Sequence, residues 1–365
     1  MNKTINDNQY GGVPGRDAIM PTVIKELQYE ITRASKRPLV RNDYDAVSCY
    51  DRIIMAMASI VSRARGMHRN IVFVNASTLK QAKYYIKAKI QVSELFFQHS
   101  ETFQVYGSGQ GNENSPGLWC IISSVLFDVY ELKANGATFY SPDMKTSVTI
   151  YLIGYVDDKG GSTNDFLLQE QAPPDHYIQK AAFDAQRWND ILKLSGGALE
   201  DTKCSYHVMY YDFTIKGLPI LRGNVSPPLE IMFNDGTTPT PLKYKSPFLS
   251  HKILGAHKDP AGNQKGDWKA FKSTNEKHAK IIARNPLDRT DTWTYYHAVY
   301  LPSICYPFPS GYLSKNQCDQ LQSTVKQVML PKYGFNRNTP NAVVYGPTEY
   351  AGIEVRTMSV EQGMA

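Results

Sequence analysis

The sequence predicts an α+β fold divided into more than one subdomain, and three observations carry that expectation. A chain of 365 residues is longer than one hydrophobic core usually serves. Up to about residue 250, short strand-like runs such as Leu39 to Asp45, Val148 to Ile153 and Tyr206 to Ile215 alternate with amphipathic stretches of helical period. Beyond about residue 264 the periodicity is helical throughout. The expected division is therefore 1–250, mixed, and 251–365, helical.

Taken in order, residues 1–16 are polar and rich in Gly and Pro, ending in Pro14-Gly15-Arg16. Asp17 is placed to cap a helix whose apolar face is Val23, Ile24, Leu27 and Ile31. Leu39 to Asp45 alternates as a strand, with Asp43 and Asp45 on one face. A helix rich in Ile, Met and Ala follows, to about Arg65. Helix is expected over Ser77 to Phe97 and a β segment over Thr102 to Tyr106. The Gly-rich stretch from Gly107 to Gly117 then leads into a helix from Leu118 to Tyr130. The Val148–Ile153 run ends at Tyr155-Val156-Asp157-Asp158, where the following Lys159-Gly160-Gly161 reads as a turn and then a weak strand. A helix over Ala181 to Leu194 has Phe183, Trp188, Ile191 and Leu192 as its expected core face. Residues 216–250 hold many Gly, Pro and Thr and read as an insertion or linker. His251 to Gly255 starts a short strand, turned back by Lys258 to Asn263 as a hairpin. Helices are expected over Trp268 to Arg284, Thr290 to Tyr300 and Gln317 to Met329, the last opened by a capping box from Ser314 to Gln317.

A formal charge of +6 and a pI near 8.8 favour an anionic partner such as nucleic acid. In the C-terminal region Lys and Arg outnumber Asp and Glu, as a helical domain tracking a phosphate backbone would require and as an ordinary solvated face would also show. The five cysteines, at 49, 120, 204, 305 and 318, contain no C-x-x-C pair. They make neither a zinc site nor a disulfide framework, and a reducing, intracellular compartment, nuclear or cytoplasmic, is expected. The N-terminus has no signal-peptide core, and no apolar run reaches the roughly 18 residues of a membrane span.

Several short motifs have chemical readings beside plainer ones. Asp157-Asp158 at a tight turn would offer two hard oxygen ligands to Mg²⁺, and Asp before Gly is also an ordinary solvated turn. Asp45 closes a strand with Tyr50 five residues on, and a strand-end Asp also caps helices. The loop at Gly109-Gln110-Gly111 would let backbone approach phosphate or base, with a helix N-terminus behind it, or would simply be a loop. Lys203 is by default a surface lysine.

The order of these motifs is more specific than any one of them. A strand ending in Asp45 with the aromatic Tyr50, then Gln110-Gly111 with Ser115-Pro116, then Tyr155-x-Asp157-Asp158, then Gly196-Gly197-x-Leu199 with Lys203, then Leu254-Gly255, resembles the series found in reverse transcriptases. With Gln9-Tyr10-Gly11-Gly12-x-Pro14-Gly15-Arg16 near its start, and Asn336 to Pro340 and Val343 to Pro347 near its end, the chain looks like the reverse transcriptase of a eukaryotic non-LTR-type retroelement. The resemblance runs from about Gln9 to about Gly352.

That resemblance implies a right-hand polymerase. Residues 1–250 would be partial fingers and a palm, an antiparallel sheet backed by helices, and 251–365 a basic helical thumb. It implies RNA-directed DNA polymerase activity, with Asp45, Asp157 and Asp158 holding two Mg²⁺ ions, or Mn²⁺ in their place. Lys203 would give positive charge or a proton to the departing pyrophosphate. Tyr50 would lie under the nucleotide sugar and exclude a 2′-hydroxyl. Gln110 and Gly111 would contact the templating pair, Ser115 and Pro116 would shape the helix behind them, Ile253 to Gly255 would grip the primer end, and Arg16 would serve the substrate site from the N-terminal motif. The implied partners are an RNA template with primer, the RNA–DNA hybrid and deoxynucleoside triphosphates. The family's further finger segments would precede Gln9, so a truncated copy is also expected, and with it the alternative of a non-catalytic nucleic-acid-binding remnant. No zinc knuckle, endonuclease or RNase H signature is legible. An RNA-dependent RNA polymerase is the nearest rival enzyme, but that class usually carries Asp where this chain has Tyr50.

Overall fold

The first helix, α1, runs Ile19–Ser35 with Ala18 at its N-cap; Asp17, one residue before, still accepts a hydrogen bond from the Met20 amide at 3.2 Å, while Leu27 and Ile31 of the expected apolar face are exposed. In left-handed backbone, Lys36 ends the helix. The computed structural model describes residues 5–100, 106–109, 112–168, 170–233, 236 and 238–365. They fall into two units, Met1–Pro21 with Ile31–Ser246, and Thr22–Glu30 with Pro247–Ala365.

In the first unit, β1 (Leu39–Tyr44) is followed by α2 (Met55–Ala64) and α3 (Arg69–Gln81). The helix expected over Ser77 to Phe97 ends at Gln81. Ala82 turns extended, and the chain forms a hairpin, β2 (Lys83–Lys87) with β3 (Val92–Gln98). Its aromatic and β-branched residues favour strand, and cross-strand pairs such as Tyr84 with Phe97 and Tyr85 with Phe96 fix its register. Of the β segment expected from Thr102 to Tyr106, residues 102–105 lie outside the described residues. Tyr106 makes an isolated bridge to Ile54.

Next come α4 (Ser115–Glu131), β4 (Ala137–Tyr140), β5 (Ser147–Ile150), β6 (Leu152–Tyr155), β7 (Asp158–Thr163) and α5 (Pro174–Leu194). The strand after Asp158, expected to be weak, is a six-residue strand paired on both sides, with β1 and with β6. Its glycines do not make the turn. They sit inside β7, where Gly161 faces the Tyr44 and Tyr130 hydroxyls: a Cβ there would stand 3.3 Å and 3.5 Å from them. Packing room, rather than β propensity, explains the strand.

The expected strand from Tyr206 to Ile215 divides at Tyr210 into β8 (Ser205–Met209) and β9 (Tyr211–Phe213). Residues 216–250 are more than a linker. They form β10 (Pro219–Leu221), β11 (Glu230–Ile231), β12 (Thr240–Pro241) and β13 (Lys243–Tyr244). Leu229, Ile231 and Leu242 enter the core, and the Tyr206 hydroxyl accepts from the Leu229 amide at 3.2 Å.

The main sheet is small and mostly antiparallel, in the order β13-β8-β1-β7-β6. Only the β13–β8 pairing is parallel. β1 is its centre, and α5 packs on β1 and β7 with α4 beside it. Asn42 anchors β1 to that helix layer, donating to the Ala181 carbonyl at 3.1 Å. Trp188, Ile191 and Leu192 of α5 are buried as expected, with Ala181 and Ala185. Phe183 is 53% exposed: it stands off the stripe that those five residues trace.

In the second unit, β14 (His251–Ile253) and β15 (Ala256–Lys258) form a hairpin. Its turn is Leu254–Gly255, both at positive φ, the two-residue geometry that matches strand twist. The stretch expected to turn it back, Lys258 to Asn263, forms the next turn instead, closed by the Gly262 amide on the Asp259 carbonyl at 2.9 Å. The rest is helical: α6 (Lys265–Arg284), α7 (Arg289–Tyr295), a π-helical turn (Tyr296–Tyr300), α8 (Leu301–Cys305), α9 (Lys315–Lys332), α10 (Asn341–Tyr345) and α11 (Met358–Met364). The capping box at Ser314 and Gln317 is formed. Ile282, Tyr296, Tyr300, Ile304, Met329 and Leu330 make the centre of this unit's own core. Among the described residues, no helix is long and apolar enough to cross a membrane.

Candidate active site

The site builds outward from the end of β1. Tyr44 is paired with Lys159, and Asp158 with Tyr155. The central strand therefore delivers Asp45 to the sheet end where the β6–β7 turn carries Asp157 and Asp158. The turn residue Val156 has φ +52°, a left-handed conformation that costs a β-branched residue energy. Three neighbours hold it there. Trp119 on α4 donates its indole N–H to the Val156 carbonyl at 2.6 Å, and Lys159 Nζ donates to the same oxygen. The N-terminal segment closes over the turn: Tyr10 donates to the Gly154 carbonyl at 2.9 Å, and Gly154 donates back to Asn8 at 3.0 Å. Gly11 must lack a side chain, because a Cβ would stand 2.4 Å from the Val156 nitrogen.

Past Asp45, the chain pairs with the Gly-Gly segment. Val47 donates to the Ala198 carbonyl and Glu200 to that of Asp45, each at 2.9 Å. This brings Lys203 round, with Nζ 3.3 Å from Asp45 Oδ2. Tyr50 lies on the next turn, half-buried. Burial raises its phenol's pKa, with Cys49 and then Asp157 adding to the rise, so this ring stands within electrostatic reach of the carboxylate turn. Ser108 donates its amide to the Tyr50 carbonyl and Gly107 to that of Ile53, each at 2.8 Å. Ser115 Oγ, at the start of α4, binds the Ser108 carbonyl at 3.0 Å and that of Gly109 at 2.8 Å. The Gly-rich loop is thus seated on the Tyr50 turn and held by the helix behind it.

The structure therefore brings Asp45, Asp157, Asp158, Tyr50 and Lys203 to one end of the sheet. Gln110 and Gly111 lie outside the described residues. Arg16 is occupied within its own loop, donating from Nη1 to the carbonyls of Asn6 at 3.1 Å, Asp7 at 2.9 Å and Gln9 at 2.6 Å. Ile253 to Gly255 belong to the second unit. The three carboxylates are hard oxygen donors of the kind that suits Mg²⁺, and they stand at neighbouring strand ends. Their side chains are not drawn together into a chelate. Among the described residues no three His, Cys, Asp or Glu groups are gathered for a metal, and the Asp45 carboxylate faces the Lys203 ammonium instead.

Trp119 and Lys159 carry no motif signal and were missed from sequence. Strand alternation alone would have turned Lys159 away from Asp158 into the protein. It is 3% exposed, its ammonium 5.3 Å from the centre of the Phe127 ring. Burial pushes it down from 10.5 to about 8, although Cys49, Asp157 and Asp158 pull it the other way. Between those values the unfolded chain holds a proton that the folded chain has released. The lysine's contribution to stability is therefore smallest below about 8, rises through the window and is complete above 10.5. Buried thiols oppose it, since burial pushes Cys49 up to about 11 and Cys204 to about 12, and their contribution is lost as unfolded thiols ionise. A difference measurement isolates the lysine. In metal-free buffer, the parent should gain on the order of 2 kcal/mol over Lys159→Met between pH 8 and 10.5, read from urea titrations at each pH. A difference independent of pH would contradict the burial of a titrating ammonium.

No protein-family model and no curated protein matches the chain. Solved structures that it is similar to include apo telomerase from Candida tropicalis, at 12% identity and a TM-score of 0.43 over 89% of this chain and 51% of that one. Telomerase from Candida tropicalis in complex with a TWJ fragment of telomeric RNA matches at 11% identity and a TM-score of 0.41, over 96% of this chain and 54% of that one. The corresponding complex from Candida albicans matches at 11% identity and 0.35, over 95% and 54%. The chain spans about half the length of these three structures.

Proposed function

We propose that this chain is an RNA-directed DNA polymerase, transferring deoxynucleotides to a primer 3′-hydroxyl on an RNA template. The observation that carries the reading is the placement of Asp45, at the end of the central strand, beside the Asp157–Asp158 turn, with Tyr50 and the start of the Gly-rich loop joined to the same sheet end. The motif order legible in the sequence supports the reverse-transcriptase class, and it alone supports a non-LTR-type retroelement as the source.

Asp45, Asp157 and Asp158 would hold the Mg²⁺ ions, which when bound polarise the attacking and leaving oxygens of an in-line phosphoryl displacement. The protein's own share is positioning and charge. The strained Val156 turn, clamped by Trp119, Lys159 and the N-terminal segment, fixes where two carboxylates point. Tyr50, its backbone carbonyl held by Ser108, would lie under the nucleotide sugar and exclude a 2′-hydroxyl. Lys203 is 62% exposed at its side chain, so it is free to leave Asp45 and give its charge or proton to the departing pyrophosphate. Gln110 and Gly111 would meet the templating pair. Arg16 would act by shaping the loop that covers the Val156 turn. In this reading residues 1–250 serve as fingers and palm, and 251–365 as thumb.

The Asp45–Lys203 pair favours a second reading, a nucleic-acid-binding protein whose carboxylates never close on a metal. One experiment separates the two. With Mg²⁺, deoxynucleotides and a primed RNA template, the parent should extend the primer and Asp157→Asn/Asp158→Asn should not. Salt-sensitive template binding without extension by either protein would favour the second reading. Equal extension by both would refute the role of the turn.

A further inference from the structure

Among the described residues, the hairpin β2–β3 packs chiefly on itself. Every residue of β2 is exposed, and all of β3 but Ser93. Neither strand packs substantially on another element of the described residues. An isolated two-stranded hairpin is at best marginally stable in water. This one shows apolar surface on both faces, with Tyr85 49%, Phe96 46%, Phe97 58% and Leu95 86% exposed. Exposed rings gathered on one element suit a binding surface.

Charge indicates the occupant. Between Lys80 and Gln98 the chain carries four lysines, at 80, 83, 87 and 89, against one acid, Glu94. A second copy would set like charge against like charge. The rings and lysines also interleave. On one face Tyr85 pairs across the strands with Phe96, ring centres 5.7 Å apart, and Lys83 Nζ lies 4.5 Å from the centre of the Phe96 ring. On the other face Tyr84 lies 6.2 Å from Phe97. Exposed π faces in pairs, flanked by ammonium groups, are what stacks unpaired bases and neutralises the phosphates between them.

We propose that the β2–β3 hairpin is a single-stranded RNA-binding platform. Bases stack on Tyr85 and Phe96, and phosphates lie against Lys83 and Lys87. That the strand is RNA rather than DNA rests on the polymerase reading above. The contact is indifferent to base identity, because every base has a π face. The chain after the hairpin returns to the site, since Tyr106 bridges Ile54 and Gly107 and Ser108 bind the Tyr50 turn. The platform and the carboxylates thus belong to one unit and are joined by a short stretch of chain.

The test is fluorescence anisotropy of the full chain with a labelled oligouridylate, over a range of salt. Tyr85→Ala/Phe96→Ala should weaken binding at least tenfold with the salt slope kept. Lys83→Gln/Lys87→Gln should lower the slope of log affinity against log salt by about 1.4, two phosphate contacts on a single strand. Tyr85→Phe/Phe96→Tyr should bind as the parent does, which separates loss of rings from loss of the hairpin. Unchanged RNA affinity in the alanine pair would overturn the proposal. So would equal loss on duplex RNA, tighter binding of oligothymidylate than of oligouridylate, or an effect confined to self-association in sedimentation or to binding of anionic vesicles. The polymerase reading stands or falls separately: Asp157→Asn/Asp158→Asn should keep full oligouridylate affinity, and the hairpin variants should still extend a primer at saturating template.

Discussion

Replacing Asp45 with asparagine should lower primer extension by on the order of a thousandfold and leave the fold intact. On the polymerase reading proposed above, the expected size is that of losing one charged metal ligand, several kcal/mol of transition-state charge stabilisation at about 1.4 kcal/mol per tenfold in rate. The fold should survive because Asp45 contributes to it chiefly through its backbone. Its carbonyl accepts from the Glu200 amide at 2.9 Å, a bond that asparagine keeps. What the side chain loses is an ion pair with a lysine 62% exposed, and pairs of that kind contribute about 0–1 kcal/mol. Single-turnover extension, run beside a thermal melt, checks both halves. An Asp45→Asn protein that melts with the parent and extends at the parent's rate would remove Asp45 from the chemistry.

Trp188→Ala should cost about 3–5 kcal/mol of unfolding free energy in the first unit. Trp188 is 1% exposed and meets two of the three aromatic residues of α4 edge-on, with ring centres 5.7 Å from Phe127 and 5.9 Å from Tyr130. These contacts join α5, which covers the sheet, to α4, which carries Trp119 to the Val156 turn. A cavity there would loosen the support of the site as well as the core. Trp188→Phe should cost less than half as much, because the indole N–H has no hydrogen-bond partner among the described residues and its removal leaves nothing unpaired. Urea unfolding of the three proteins, followed by a signal from the first unit, measures the difference. A loss below about 1 kcal/mol for the alanine variant would mean that the site can collapse around the gap.

Local chemistry made much of this protein legible from its sequence. The start of α1 just after Asp17, the strand ending before Asp45, the helix behind the Gly-rich loop and the capping box at Ser314 each depend on a few neighbouring residues. So does the grouping of Asp157 with Asp158. The errors arose where distant packing overrode local preference. A Lys-Gly-Gly-Ser-Thr run is a poor strand by propensity, yet it pairs with β1 and β6 because Tyr44 and Tyr130 fill the space that its glycines leave. Residues 216–250 look like a linker until Leu229 and Leu242 find a core built by other segments. The hairpin of residues 83–98 went the other way: its local aromatic pairs outweighed a helical reading of the same stretch.

By itself, the sequence determined which side-chain types are available: three carboxylates, the aromatic five residues after the first of them and the lysine of the Gly-Gly segment. Only the tertiary structure decided which of them meet. β1 at the centre of the sheet sets Asp45 beside the carboxylate turn, the Ala46–Leu199 bridge swings Lys203 onto Asp45, and Arg16 is drawn into its own loop. The physical reason is that a side chain's type is a local property, while its distance from another depends on strand order and register, which are set by cores that no short window of sequence contains.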